Sequence, residues 1–441
     1  MAAGLLATLL IGCQAITETK LPDGVEGPAT YNNREGAIRL TQAARGELAT
    51  SIRNYLIWSG LLTDELIGMS DEGDSRDRRS WRFMPEDPPH TVRSLARLAR
   101  GVLGKYVPGN TAAWQARLFV YEAYAEILTA DGWCSGVPLT TLDFEGDWTY
   151  RPGSTTEEIY AHAILLLDSA TSRAVDSMSL QWTIGVLKAR ALVALGRYAE
   201  AAQAVQGIDG SFRDTLRIAF GDGQRGQPGS SPYDMFLNTA SIADQEGRNG
   251  LPYRSSGDPR TTGVQLTYNG RTSWFPTKYL TTDSSTFVLA SGVEVQLIRA
   301  EAAFHAEDPP QMLALLNALR TDGTYTIDTT ALPGGGERID TAWHAGIGGV
   351  AGLRPLTLPA TASARRQLLF AERAAWLFVT GTRQGDLRRL VRKYGLDREQ
   401  VYPTGPYIVS GYTGVYGTDI SFGLSELEFR NPLFTGCNYD E

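Results

Sequence analysis

Apolar positions recur at helical spacing over much of the chain. In 34–58 they fall at Ile38, Leu48, Ile52, Tyr55 and Leu56, and in 112–131 at Leu118, Tyr121, Ala125 and Leu128. Each stretch therefore predicts a helix with one buried face. The same spacing predicts helices over 91–103, 155–171, 180–195, 198–205, 293–305, 309–320 and 362–390. Thr155-x-x-Glu158 opens one of them as a capping box, in which hydroxyl and carboxylate each satisfy an orphan backbone N–H. Between 207 and 291 the helical period is lost. That segment is rich in Gly, Ser, Thr and Pro, with Tyr233, Tyr253, Tyr268, Trp274, Phe275 and Tyr279 scattered through it. It predicts a long irregular insertion of the kind that carries function. The stretches 69–89, 132–153 and 334–352, and the chain from 402, predict further loops. No second-domain boundary stands out, so the simplest organisation is one helical body with long loops.

Within that body 191–202 reads ALVALGRYAEAA. Gly196 supplies a tight turn, Tyr198 fills a helix pair and Ala201 lets two helices close, as in a tetratricopeptide unit. Clean ~34-residue copies are missing, which predicts a degenerate repeat scaffold.

Composition narrows the function classes. The formal net charge is -8, only five of the 41 basic residues are Lys, and no basic run stands out. The electrostatic footprint of a nucleic-acid binder is missing. Three cysteines are too few for a disulfide scaffold. No apolar run reaches the ~18 residues of a membrane-spanning helix. The first thirteen residues, MAAGLLATLLIGC, carry no charge. Residues 5–12 suit a signal h-region, although no Lys or Arg precedes them. Leu10-Ile11-Gly12-Cys13 resembles the bacterial lipobox, where a small residue fits the signal peptidase and the cysteine thiol takes the lipid. This predicts a signal peptide over 1–12, lipidation at Cys13 and a polar tether over 13–30 leading to the folded domain.

Several segments then follow in a telling order: AYAEILTADGWCSGVPL at 123–139, RPGSTTEEIY at 151–160, the repeat-like unit at 188–202, IRAEA at 298–302, LNALR at 316–320, FAERAAWLFVTGTRQGDLRRL at 370–390 and LEFRNPLFTGCNY at 427–439. Together with the lipobox they resemble the SusD/RagB family of outer-membrane nutrient-binding lipoproteins over almost the whole chain. The most specific element is the Glu-Arg…Gly-x-Arg-x-x-Asp-Leu-Arg-Arg signature within 370–390, whereas Asn438 and Tyr439 lack the family's usual spacing. The resemblance implies a mainly α fold, a tetratricopeptide-like superhelix of four helix pairs with long irregular loops, and one SusD-like nutrient-binding domain over 31–441. It further implies a lipid-anchored protein at the cell surface of the outer membrane. Such a protein captures an oligosaccharide or other oligomeric nutrient and passes it to a SusC-like TonB-dependent transporter, with no catalysis of its own.

The residues themselves offer little catalytic chemistry. There is no Gly-x-Ser-x-Gly elbow and no Walker loop. His90, His162, His305 and His344 show no zinc-ligand spacing. Asp71, Glu72, Asp74 and Asp77 form an acidic loop of a kind that holds Ca²⁺, but without the ordered ligands of an EF-hand; a solvated loop and no cofactor are expected. Glu372, Arg373, Arg383, Asp386 and Arg389 of the signature are expected to be paired scaffold charges.

Glycan binding asks for aromatic faces beside planar polar groups, and two loops offer them. One carries Asp74, Arg78, Arg79, Trp81 and Arg82; the other carries Asn249, Tyr253, Arg254, Tyr268, Asn269, Arg271 and Trp274. The expected ligand contacts are Asp74, Arg79, Trp81, Tyr253, Tyr268, Arg271 and Trp274. Trp81 and Trp274 lead as platforms, the alternative being that each anchors its loop. Trp114, Trp182, Trp343 and Trp376, on or near helical segments, are expected in the core. Export would leave Cys134 and Cys437 either bridged to each other or reduced in separate pockets. Two other functions compete: a tetratricopeptide-like scaffold lipoprotein for a protein or peptide partner, and a glycan-cleaving enzyme.

Overall fold

The computed structural model describes residues 28–69, 76–80, 86–143, 147–219, 239–268, 270–279, 284–321, 326–331, 337–344, 353–409 and 412–440. The signal segment 1–12, Cys13 and the tether up to residue 27 lie outside them. Helices α1 (Arg34–Leu62) and α2 (His90–Tyr106) pack as one pair, and α3 (Ala112–Gly132) and α4 (Thr156–Thr171) as a second. A third pair is α5 (Met178–Ala194) with α6 (Tyr198–Ala204), and a fourth α7 (Gly292–His305) with α8 (Pro309–Thr321). Polar caps set the starts: Asn33 accepts from the Gly36 N–H, Ser291 from Glu294, and Thr155 and Glu158 form the complete capping box. Gly196 takes φ +78° between α5 and α6, and Ala201 is fully buried beneath Tyr198's helix. The fold is mainly α and tetratricopeptide-like.

Two expectations fail. The single helix over 362–390 is two helices, α9 (Ala362–Trp376) and α10 (Arg383–Arg392), with a turn between them. In that turn Val379 adopts φ +47° and Gly381 φ +81°. A β-branched residue in the left-handed region costs about 1–3 kcal/mol and persists only when its surroundings hold it. Here the Val379 N–H donates to Glu65 Oε1 at 2.8 Å and its carbonyl accepts from the Tyr279 hydroxyl at 2.7 Å, all in the interior.

The second failure is the irregular insertion, much of which is β structure. Arg213–Ala219 pairs antiparallel with Ser284–Ser291, Ala240–Ile242 with Leu66–Gly68, and Gly263–Tyr268 with Arg271–Pro276. Part of the 334–352 stretch is likewise a strand, Glu337–His344, paired with Thr326–Ala331. Two of these pairings join distant segments and leave no local signal, whereas the Gly263–Pro276 hairpin is local and its Asn269-Gly270 dipeptide is a signal that could have found it.

The apolar core forms two clusters, one centred on α1–α5 and the other on α7–α10. Helix α10 joins them through charge. Arg383 binds Asp64 bidentately at 2.7 and 2.9 Å, just past the end of α1. Asp386 accepts two bonds of 2.8 Å from Arg373 of α9 and one of 3.0 Å from Arg389. Arg389 in turn grips Glu301 of α7 at 2.9 Å through two bonds. Arg388 donates to the carbonyls of Ala130, Asp131 and Trp133 at 2.7, 3.1 and 2.7 Å, placing a cation at the C-terminal end of α3. Glu372 of α9 accepts from Arg260 and Arg320 at 2.8 and 2.7 Å. The five signature charges are all buried and all paired, as scaffold charges must be.

Cys134 and Cys437 are joined by a disulfide with S–S 1.99 Å across a sequence separation of 303. Beside it Ser135 and Asn438 exchange backbone bonds of 2.8 and 2.6 Å. Gly136 permits this approach: it has φ +121°, and a Cβ there would stand 2.7 Å from the Gly436 carbonyl oxygen.

Two predictions follow from the charged core. Glu301→Gln removes the charge facing Arg389 and is expected to cost about 3–5 kcal/mol in urea unfolding, whereas Arg430→Ala, at an exposed pair with Glu426, leaves the midpoint unchanged. Glu65 is fully interior, and burial pushes its carboxyl from 4.5 up to about 7 against the opposing pull of the Val379 N–H and Arg383. A raised carboxyl favours the folded state while it holds its proton. That contribution is complete below pH 4.5 and lost as pH rises through about 7. Stability is therefore expected to fall between pH 5 and 8 by on the order of 1–3 kcal/mol, and Glu65→Gln should flatten that part of the profile in thermal melts.

Candidate functional site

The first expected loop is described only at its centre, 76–80; Asp71, Glu72, Asp74, Trp81 and Arg82 lie outside the described residues. That centre is an anchor. Arg79, expected at the ligand, is fully buried with φ +55°. Its guanidinium binds Glu399 at 2.9 and 3.3 Å and donates to the carbonyls of Pro403 at 2.8 Å and Asp419 at 3.1 Å. Those partners occupy the fork, so Arg79 holds the loop and does not face a ligand. Asp77, the one member of the expected acidic loop among the described residues, is also buried. It accepts from the Gly68 N–H at 2.8 Å and the Tyr407 hydroxyl at 2.6 Å. Glu246 hydrogen-bonds Asp77 and accepts from the Tyr416 hydroxyl at 2.9 Å. Burial and the Asp77 charge raise the Glu246 carboxyl well above the usual carboxylate range. Among the described residues no three His, Cys, Asp or Glu side chains converge as a metal site.

The second expected loop divides into inside and outside. Tyr253 is buried, its ring stacked 4.9 Å from Phe378. Asn249 donates to the carbonyls of Glu399 and Tyr402 at 2.7 Å each. Both serve the fold: Tyr253 is interior, and the Asn249 amide is taken up by backbone carbonyls. Tyr268 and Arg271 are register partners at the tip of the Gly263–Pro276 hairpin, where Gly270 takes φ +75°. Their side chains, like Asn269, lie outside the described residues. Trp274 is half-buried on the hairpin's second strand, opposite Gln265, with its N–H donating to Ser241 Oγ at 2.9 Å. The exposed Arg254 stands over its ring at 5.9 Å from the centroid. Asp244 Oδ1 fixes that turn by accepting from the N–H groups of Arg254 and Ser255 at 3.1 and 3.0 Å. At the hairpin's foot Arg260 bridges Asp258 at 2.6 Å and Glu372 at 2.8 Å, tying it to α9. Trp274 and Arg254 are thus an aromatic face and a planar cation held together at the surface by the charged core.

A second concavity escaped the sequence reading. Between α1 and residues 86–91 lies a cleft of about 300 Å³ lined by Trp58, Trp133, Asn54, Ser51, Asp87 and Thr91, among others. The signal was present: Glu47, Ser51, Asn54 and Trp58 recur at helical spacing on the face opposite the apolar stripe. Of the four tryptophans expected in the core, Trp376 is buried and Trp182 packs edge-on to Phe212 at 5.3 Å. The Trp343 side chain lies outside the described residues. Trp114, however, is 47% exposed, because it sits on the first turn of α3 before that helix enters the core.

No protein-family model matches the chain, and no curated protein matches its sequence. Solved structures do match in shape. A SusD superfamily protein from Bacteroides fragilis aligns with TM-score 0.60 at 15% identity, over 92% of this chain and 99% of that one. A SusD-like carbohydrate-binding protein from Bacteroides vulgatus aligns with TM-score 0.55 at 16% identity, over 89% and 90%. A laminarin-binding SusD-like protein aligns with TM-score 0.56 at 12% identity, over 92% and 99%. With its four helix pairs and its hairpin-bearing insertion, this chain has the SusD-like fold over about nine-tenths of its length.

Proposed function

We propose that the protein is a non-enzymatic binding lipoprotein of the outer-membrane surface, which captures an oligosaccharide nutrient and delivers it to a SusC-like TonB-dependent transporter. The observation that carries this reading is the extent of the shared fold: it spans nearly all of this chain and nearly all of proteins that bind carbohydrate or laminarin. The surface pairing of Trp274 with Arg254 supports it, because a sugar's C–H face packs on an indole while a guanidinium takes two hydroxyls. Asp74 and Trp81 belong to the same reading, since they flank the anchored segment 76–80 on either side. The lipobox-like ending at Cys13 supports the anchor, because acylation of its thiol would hold the protein at that surface.

Two measurements test it. Trp274→Ala is expected to weaken the glycan recognised on an array by roughly tenfold or more, in a protein that circular dichroism shows to remain folded. An array on which no glycan binds, or a variant that binds as well as the parent, would sink the assignment. Expressed from the full chain, the protein should incorporate palmitate and fractionate with outer membranes, and Cys13→Ala should abolish both.

A further inference from the structure

The half-exposed Trp114 opens onto a groove of about 430 Å³ between the first half of α1, the start of α3 and the start of α5. That volume falls within the range of small-molecule sites. Its floor is apolar: Leu118 and Leu180 are buried, and Ile38 stands beside them. Its rim is polar, with Thr41, Gln42 and Ser177 supplying hydroxyl and amide groups. Two arginines complete the rim. Arg117 is paired with Asp214, so its charge is offset; Arg45 hydrogen-bonds the Tyr121 hydroxyl at the groove wall. Among the described residues no Asp or Glu lines this groove, in a chain whose net charge is -8.

An indole face rimmed by hydroxyl, amide and guanidinium groups is the recognition set for a pyranose ring. The local excess of positive charge adds a preference for an acidic one. We propose that the Trp114 groove is a second carbohydrate site, which takes a sugar ring bearing a carboxylate, with the ring stacked on Trp114 and the carboxylate directed to Arg45. It is separate from the Trp274 surface. Trp274 packs by way of Ala240–Ile242 against Leu66–Gly68, beyond the C-terminal end of α1, whereas the groove lies against Ile38–Arg45. Twenty helical residues, or about 30 Å, divide the two positions along the helix axis. The choice of a sugar rests on the carbohydrate-binding reading above; the site itself does not.

The test titrates the full chain with trigalacturonate and with maltotriose, a neutral trisaccharide, by calorimetry. Trigalacturonate is expected to bind the parent at least tenfold more tightly than maltotriose. Trp114→Ala and Arg45→Ala should each weaken it at least tenfold, while Trp274→Ala leaves it unchanged. Circular dichroism checks that both variants remain folded, and two variants on different helices keep one misfolded protein from deciding the result. Equal affinity for the two trisaccharides, or full affinity in Trp114→Ala, would overturn the site. So would a self-association face: Val175 and Met178, on either side of Ser177, are 67% and 65% exposed, and a dimer in sedimentation that Trp114→Ala dissolves would assign the patch to a second copy. Loss of trigalacturonate binding on Trp274→Ala alone would leave the first reading standing and remove this one; failure of the first reading is read separately, as an array on which no glycan binds.

Discussion

Burying four charged side chains on one ten-residue helix is the constraint on which the rest of the structure depends. Arg383, Asp386, Arg388 and Arg389 of α10 are all in the interior. Taking a guanidinium out of water costs several kcal/mol unless its hydrogen bonds are replaced. Each side chain must therefore find its partner, and the partners are spread through the chain: Asp64 after α1, the terminal carbonyls of α3, Glu301 on α7 and Arg373 on α9. The observed placement of α10 meets all four demands together. Arginine suits the task where lysine would not, because its planar fork meets a carboxylate through two parallel bonds.

The same charges reach the surface that carries the candidate site. Asp64 also accepts from the Leu251 N–H, and its neighbour Glu65 holds the left-handed Val379. Glu372 holds Arg260 at the foot of the Trp274 hairpin. Arg79 fixes the centre of the other loop against Glu399. The loops that carry the proposed ligand contacts are therefore joined to the frame at points pinned by ion pairs.

How much of this is legible in the sequence depends on how far each interaction reaches. Helices are legible because their period and their caps are local, down to the capping box at Thr155. The signature charges are legible as scaffold because they sit in a family-like signature and buried charges survive only when paired. Strands are not, since Leu66–Gly68 finds its partner at Ala240–Ile242 and Arg213–Ala219 at Ser284–Ser291. Arg79 and Tyr253 have the residue types of a glycan site, and only the distant Glu399 and Phe378 reveal them as anchors. Trp114 misleads in the opposite direction: helical spacing announces a face but not where along its length the helix leaves the core.

The Cys134–Cys437 bridge bears on the order in which the molecule is completed. One half-cystine stands just past the end of α3, and the other follows it at a sequence separation of 303. The covalent ring spans most of the folded chain, so it closes only once nearly everything between has been synthesised and placed. A chain cut short before Cys437 would retain its early helices yet display the Cys134 thiol in a slot shaped for the missing strand. The bridge thus records in covalent form that two distant segments have met, so a mass map reads the closure of the fold.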